Sequence, residues 1–190
     1  MAVDRSRLSF RRLTDEDLPM LHRWLNEPGV VRWWEGDDVS WEGVRRQYGA
    51  EARAADSVEL HIAELDGRPV GWIQCWFLAD EDEVDGWEAR GFDPVGTAGI
   101  DYLVAAPAER GAGLGTAMID AYVERVVFGD HPWITTVGSD PDEGNERSWR
   151  ALASAGFRPV GPLVDGERTY RLMRRDRPPE GAGAAPVTSP

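Results

Sequence analysis

Hydrophobic and polar positions follow two periods along this chain, and the switches between them mark out its elements. Leu8 to Leu13 alternates with period two, Leu8 and Phe10 on one face, and predicts a first strand. Thr14 then reads as a helix cap, with acids at 15, 16 and 17 in the first turn. Leu18, Leu21, His22 and Leu25 recur at helical spacing until Pro28-Gly29 ends the run. Ser40 predicts a second cap, opening a helix from about Trp41 to Ala54 that carries Val44 and Tyr48. Val58, Leu60 and Ile62 alternate in a strand over 57–65, Asp66-Gly67 reads as a hairpin turn, and 68–79 is its long apolar partner. Residues 80–96 form an acidic loop, of a length that is usually either functional or disordered. A buried strand over 97–104 precedes a helix running to about Phe128, and Trp133 to Ser139 is a β-branched strand. Asp140-Pro141-Asp142 leads into a helix from about Glu143 to Ala155, ended by Gly156. Phe157–Leu163 and Arg168–Met173 close the sheet as a hairpin about Asp165-Gly166. The order β-α-α-β-β-β-α-β-α-β-β is that of an α+β chain, with no internal repeat.

Composition narrows the partners more than the fold. The 190 residues suit a single domain over 1–175, and the Pro/Gly/Ala-rich stretch 176–190 reads as a flexible tail. No apolar run approaches membrane-spanning length, and Met1 to Arg5 lacks the apolar core of a signal peptide, so the expected address is the cytoplasm. The single Cys75 cannot form an internal disulfide, and neither it nor the three His residues show metal-ligand spacing. A net charge of −13 argues against nucleic acid and anionic membrane as partners and favours a cation, although solubility alone favours a few excess charges. Nothing in the pattern decides between a monomer and a homodimer.

The chemistry concentrates between Ile100 and Ala117, where a strand, a small-residue loop and a helix start follow one another. Bare backbone at glycines 111, 113 and 115, with the N–H groups of a helix start behind it, makes an anion site. A Walker A loop needs a Lys, and the chain has none. A dinucleotide fingerprint needs a third Gly where Met118 or Ile119 stands. The string that fits is R-x-x-G-x-G at 110–115, which resembles the acyl-CoA pyrophosphate loop of the GCN5-related N-acetyltransferases. That resemblance implies a mixed, mostly antiparallel sheet with helices on both faces. It also implies that the strands at 97–104 and 133–139 splay to admit acetyl-CoA.

A further set of strings, in order from residue 8 to 174, resembles one branch of that superfamily, the aminoglycoside 6'-N-acetyltransferases. They include L-H-R-W-L-N at 21–26, V-R-W-W-E-G at 31–36, G-W-I-Q at 71–74, G-I-D at 99–101, S-D-P at 139–141 and A-G-F at 155–157. The resemblance implies a catalytic Asp101, and a carboxylate beside the cofactor loop is chemically suited to accept an ammonium proton. It implies that Leu103 and Val104 offer backbone groups to the thioester and its arm. Amides of Gly111, Ala112, Gly113, Leu114, Gly115 and Thr116 would take the pyrophosphate, with Arg110 adding charge and Asn145 on the cofactor side. Trp34, Tyr48, Gln74, Asp85, Asp140 and Asp165 would meet a small polycationic amine, through charge-assisted hydrogen bonds and aromatic faces. Asp165-Gly166 also reads as an ordinary hairpin turn, Asn145 as a helix cap, and Trp33 or Trp34 as core.

One departure stands out. Many relatives carry a Tyr that protonates the departing thiolate, and the alignment on Ala155-Gly156-Phe157 puts Leu152 there. Tyr102 or a water are substitutes, or no acid is needed. Three other readings remain open at this level: an acyltransferase of siderophore assembly, for which a His on the catalytic strand is expected; acetylation of a protein N-terminus or another polyamine; and a non-catalytic acyl-CoA-binding module.

Overall fold

A computed structural model describes residues 3–34, 37–82, 84–105 and 113–179, and of Asp85 the backbone alone. Among these, seven strands form one sheet in the order β1-β2-β3-β4-β5-β7-β6. They are β1 (Leu8–Arg12), β2 (Glu59–Leu65), β3 (Arg68–Phe77), β4 (Thr97–Val104), β5 (Thr136–Ser139), β6 (Arg158–Asp165) and β7 (Arg168–Asp176). All pairs are antiparallel except β4 with β5, which run parallel over three residue pairs, Thr97 with Thr136 to Gly99 with Gly138. Beyond Gly99 the two strands separate, so β4 from Ile100 onward is open on that side. The mixed sheet and the splay are those the sequence implies. β7 runs one residue past the expected domain limit at 175, and Arg177 donates from its backbone to Thr135, so the fold continues into the stretch read as tail.

Helices cover both faces. On one face lie α1 (Leu18–Leu25), α2 (Pro28–Val31), α3 (Trp41–Tyr48) and α4 (Ala50–Ala55). Their apolar residues Leu21, Leu25, Val44 and Tyr48 pack on Ile62, Trp72 and Leu103 of the sheet. The turn before α1 is 3-10 rather than α: Thr14 and Asp17 cap each other's backbone, and Asp17 is held by Arg11 at 2.7 Å. The single helix expected over 41–54 breaks at Gly49, whose backbone is extended. Pro28 likewise opens a one-turn helix rather than merely ending one, since its missing N–H costs nothing at a first helical position.

On the other face lie α6 (Leu114–Tyr122) and α8 (Glu146–Ser154), while α5 (Asp85–Glu88) and α7 (Phe128–Asp130) are single turns. A π-helical segment, Val123–Val127, joins α6 to α7 and keeps Val123, Val126 and Val127 all buried. Ile119, Tyr122, Leu152 and Phe157 pack there against Ile73, Ile100 and Met173. The acidic stretch 80–96 is more than a loop, because Trp87 and Phe92 plug it into the core beside Leu78 and Leu172.

Near the far end of the sheet, Glu59, Cys75 and His131 bring one ligand-type atom each within 4.8 Å of one another. Glu59 is satisfied by Arg12 at 2.7 Å and His131 at 3.2 Å, and burial pushes the Cys75 thiol up to about 12. The group is therefore an ion pair beside a neutral thiol. Among the described residues no helix is long and apolar enough to cross a membrane.

Candidate active site

Period-two alternation sends Trp72, Gln74 and Trp76 of β3 to the α1–α3 face of the sheet, and Gly99, Asp101 and Leu103 of β4 to the same face. The register sets Gln74 opposite Asp101 and Trp76 opposite Gly99. Gln74 donates its amide N–H to the Asp101 carboxylate at 2.8 Å. Trp76 reaches the same oxygen diagonally, its Nε1 donating at 3.0 Å. That diagonal exists because position 99 is Gly: a Cβ there would overlap the Trp76 ring. The other carboxylate oxygen accepts no side-chain hydrogen bond among the described residues. Burial raises Asp101 above the ordinary carboxylate range, while the two hydrogen bonds pull it back. A half-buried carboxylate with one oxygen fixed and an elevated proton affinity is a candidate base.

Asp101 opens into a cavity of about 330 Å³. Trp34, Tyr48 and Trp72 make an aromatic wall, Trp72 receiving Trp34 at 6.1 Å and Tyr48 at 5.6 Å in edge-to-face contacts. Asp37, Asp140 and Asp142 add carboxylates to it. Arg168 is the one cation lining the cavity among the described residues, and it is paired with Asp142 at 3.1 Å. Burial, then the charge of Asp101, pushes Asp140 up to about 7, and the same two causes raise Asp37. The cavity thus holds several carboxylates short of compensation, which is a receptor for a polyvalent cation.

Asp140 carries a consequence for stability. Between its ordinary value and about 7 the unfolded chain is ionised there while the folded protein keeps the proton, so this group makes stability fall as pH rises through that window. Asp140→Asn is expected to melt higher than the unmodified protein at pH 8, with a smaller margin at pH 5, in paired thermal scans.

A second, larger cavity of about 780 Å³ runs along the open side of β4 between α6 and α8. Leu103, Val104, Gly113, Gly115, Thr116 and Asn145 line it, all named from the sequence. Gly113 takes a left-handed backbone at φ 84 to start α6, and a Cβ there would meet nothing within 4 Å. Leu114, also named from the sequence, turns its side chain into the core and is not among the residues lining the groove. Asn145 caps α8, accepting from Ser148 N at 3.3 Å. Arg110, Gly111 and Ala112 lie outside the described residues. Arg32, Arg147 and Arg150 also line this groove and were not singled out from sequence, although Arg147 and Arg150 stand at helical spacing just after Asn145. Glu146 lines the groove too and pairs with Arg150 at 2.8 Å, so among the described residues the arginines outnumber the acids three to one there. With a helix N-terminus beside them, in a chain of net charge −13, they fit a phosphate-bearing ligand.

Asp140, Trp34, Tyr48 and Gln74 join Asp101 in the first cavity. Asp85 opens α5, and its side chain lies outside what is described. Asp165 stands exposed at the β6–β7 turn, in neither cavity, paired in register with Arg168. Asp37, which no sequence motif marks, also joins the site. Leu152 is fully buried in the core.

Residues 14–164 match the family described as an acetyltransferase (GNAT) domain. This chain belongs to the GNAT acetyltransferases. Among GNAT relatives, it is 36% identical over 172 residues to an aminoglycoside N(6')-acetyltransferase type 1 from Klebsiella pneumoniae, covering 88% of this chain and 83% of the relative. Among solved GNAT structures, AAC(6')-Ib in complex with paromomycin and acetyl-CoA superposes with a TM-score of 0.78 at 34% identity, covering 90% of this chain and 93% of that one. The same acetyltransferase with coenzyme A and kanamycin gives 0.77 at 34% identity, covering 90% and 95%.

Proposed function

We propose that this GNAT acetyltransferase transfers an acetyl group from acetyl-CoA to the 6'-amino group of aminoglycosides. One observation carries the reading: an acidic, aromatic-walled cavity meets an arginine-lined groove at the open stretch of β4. A polyammonium sugar suits the first and a nucleotide thioester the second, and the relatives bind ligands of those two kinds. In this reading the groove arginines and the first turn of α6 hold the phosphates, and acetyl-CoA supplies an activated acyl carbon. Asp37, Asp140 and Asp142 bind ammonium groups by charge-assisted hydrogen bonds, and the indole and phenol faces pack on the sugar. Asp101 takes the proton of the attacking amine, directly or through water, on its unfixed oxygen. Leu103 and Val104 present backbone to the acyl arm where β5 has turned away. Work in the cytoplasm, with acetyl-CoA at hand, and a single domain suit this role.

No His lines the first cavity among the described residues, which counts against the siderophore branch. The test is thiol release from acetyl-CoA with kanamycin, tobramycin, a 6'-hydroxy aminoglycoside, spermidine and hydroxylated lysine. Turnover on the 6'-amino compounds, lost with the 6'-hydroxy one, is the expected result. Turnover on spermidine or the lysine derivative alone would overturn the substrate, and coenzyme A binding with no turnover on any amine would indicate a binding module.

A further inference from the structure

The two cavities share only a few lining residues, and those residues define where chemistry occurs. Trp33, Trp34, Tyr102, Asn145 and Ser148 face both. If the nucleotide end of a thioester occupies the groove and its acyl carbon reaches the acidic cavity, the breaking C–S bond lies at this junction. A departing thiolate there needs a proton. Of the five shared side chains, the indoles and the amide carry no proton they readily give up, which leaves the two hydroxyls.

Those hydroxyls are bonded to each other. Tyr102 Oη and Ser148 Oγ lie 2.7 Å apart, and Tyr102 Oη also reaches the Ser148 carbonyl at 3.1 Å. With Ser148 Oγ–H donating to the phenol oxygen, the phenol proton is free to turn from the carbonyl toward the junction. Burial holds the phenol above its ordinary range, Ser148 opposes that, and Asp101 adds to it, so Tyr102 enters each turnover protonated. Leu152, one helical turn beyond Ser148 on α8, is an aliphatic side chain sealed in the core and offers no proton.

We propose that Tyr102 is the general acid of this enzyme, with Ser148 as its positioning residue; the inference rests on the acetyl-transfer reading above. As the carbon–sulfur bond breaks, its electron pair stays on sulfur and the Tyr102 Oη proton moves to it. The phenolate oxygen keeps the Ser148 Oγ–H bond and regains a proton from water in the acidic cavity. The proton released by the amine leaves through Asp101, so charge balances over the cycle.

Tyr102→Phe and Ser148→Ala are to be compared with the unmodified protein in acetyl transfer. A second measurement, the thiolate ultraviolet absorbance of bound coenzyme A titrated with pH, does not depend on turnover. Tyr102→Phe is expected to bind coenzyme A normally, lose about 100-fold in kcat, and raise the pKa of the bound thiol by about one unit as a donor to sulfur is removed. Ser148→Ala is expected to move both readouts the same way by less, and it keeps the phenol if the Phe variant folds poorly. Unchanged kcat, or a fall in kcat with thiol ionisation unmoved, would overturn the assignment. An unmodified protein inert on every amine would instead overturn the acetyl-transfer reading, with the thiol titration still reporting on Tyr102.

Discussion

Asp101→Asn is expected to lose about 10²- to 10⁴-fold in turnover while binding coenzyme A unchanged, because the groove and the base are built from different residues. The amide keeps the shape of the carboxylate and can still accept from Gln74 and Trp76, which bind one oxygen at 2.8 and 3.0 Å. What it loses is the capacity to take a proton, and the negative charge that raises Asp140 and Asp37. The substitution therefore has a second signature. Asp140 is expected to titrate below about 7 once the charge of Asp101 is gone. Steady-state kinetics, calorimetry with coenzyme A and carboxyl titration by NMR read the three effects separately. Turnover equal to that of the unmodified protein would remove Asp101 from the role of base.

The second large effect is expected at a position that touches no ligand. Gly99 and Gly138 face each other in the last register pair before β4 and β5 part. A Cβ at Gly99 would overlap the Trp76 ring, and one at Gly138 the Trp87 ring. The two indoles meet edge to face at 5.2 Å, and Trp87 meets Phe92 at 4.8 Å, so an aromatic stack lies across the fork and fixes where the strands divide. Gly99→Ala is expected to cost about 1–3 kcal/mol by overpacking, lowering the melting midpoint. It also pushes the Trp76 N–H off Asp101. Turnover should fall even at temperatures where the variant is fully folded, which thermal melts paired with kcat would show. Melting and kcat both at the level of the unmodified protein would mean that the stack does not hold the fork.

The seven strands were legible because each carries a local signal: alternation in Val58, Leu60 and Ile62, a long apolar run over 68–79, β-branched residues before Ser139, and turn chemistry at Asp66-Gly67. The helix over 41–54 was read as one because Gly49 is a single weak breaker among good helix formers. Trp87 and Phe92 were lost within an acidic stretch because two isolated aromatics have no period to detect. In the site, Asp101 and Asp140 were legible from local strings. Asp37, Arg32, Arg147 and Arg150 were not, since each acquires meaning only when elements distant in sequence close around a cavity. The same holds for Gln74, named from resemblance as a substrate residue: cross-strand register makes it the partner of Asp101, which no local pattern contains.

The outer edge of the sheet has a further consequence. β6 is the last strand in the order, and it carries Pro159 and Pro162 with a register shift between Pro159 and Gly161. Proline has no N–H, and a bulge twists the ladder, so an extended segment approaching this edge finds neither a full row of donors nor a flat frame. Exposed Val164 sits on the same strand, where its apolar side chain would otherwise invite such a contact. The edge is thereby protected against strand-by-strand growth into aggregates, and two copies of the chain joining into one continuous sheet across β6 is disfavoured.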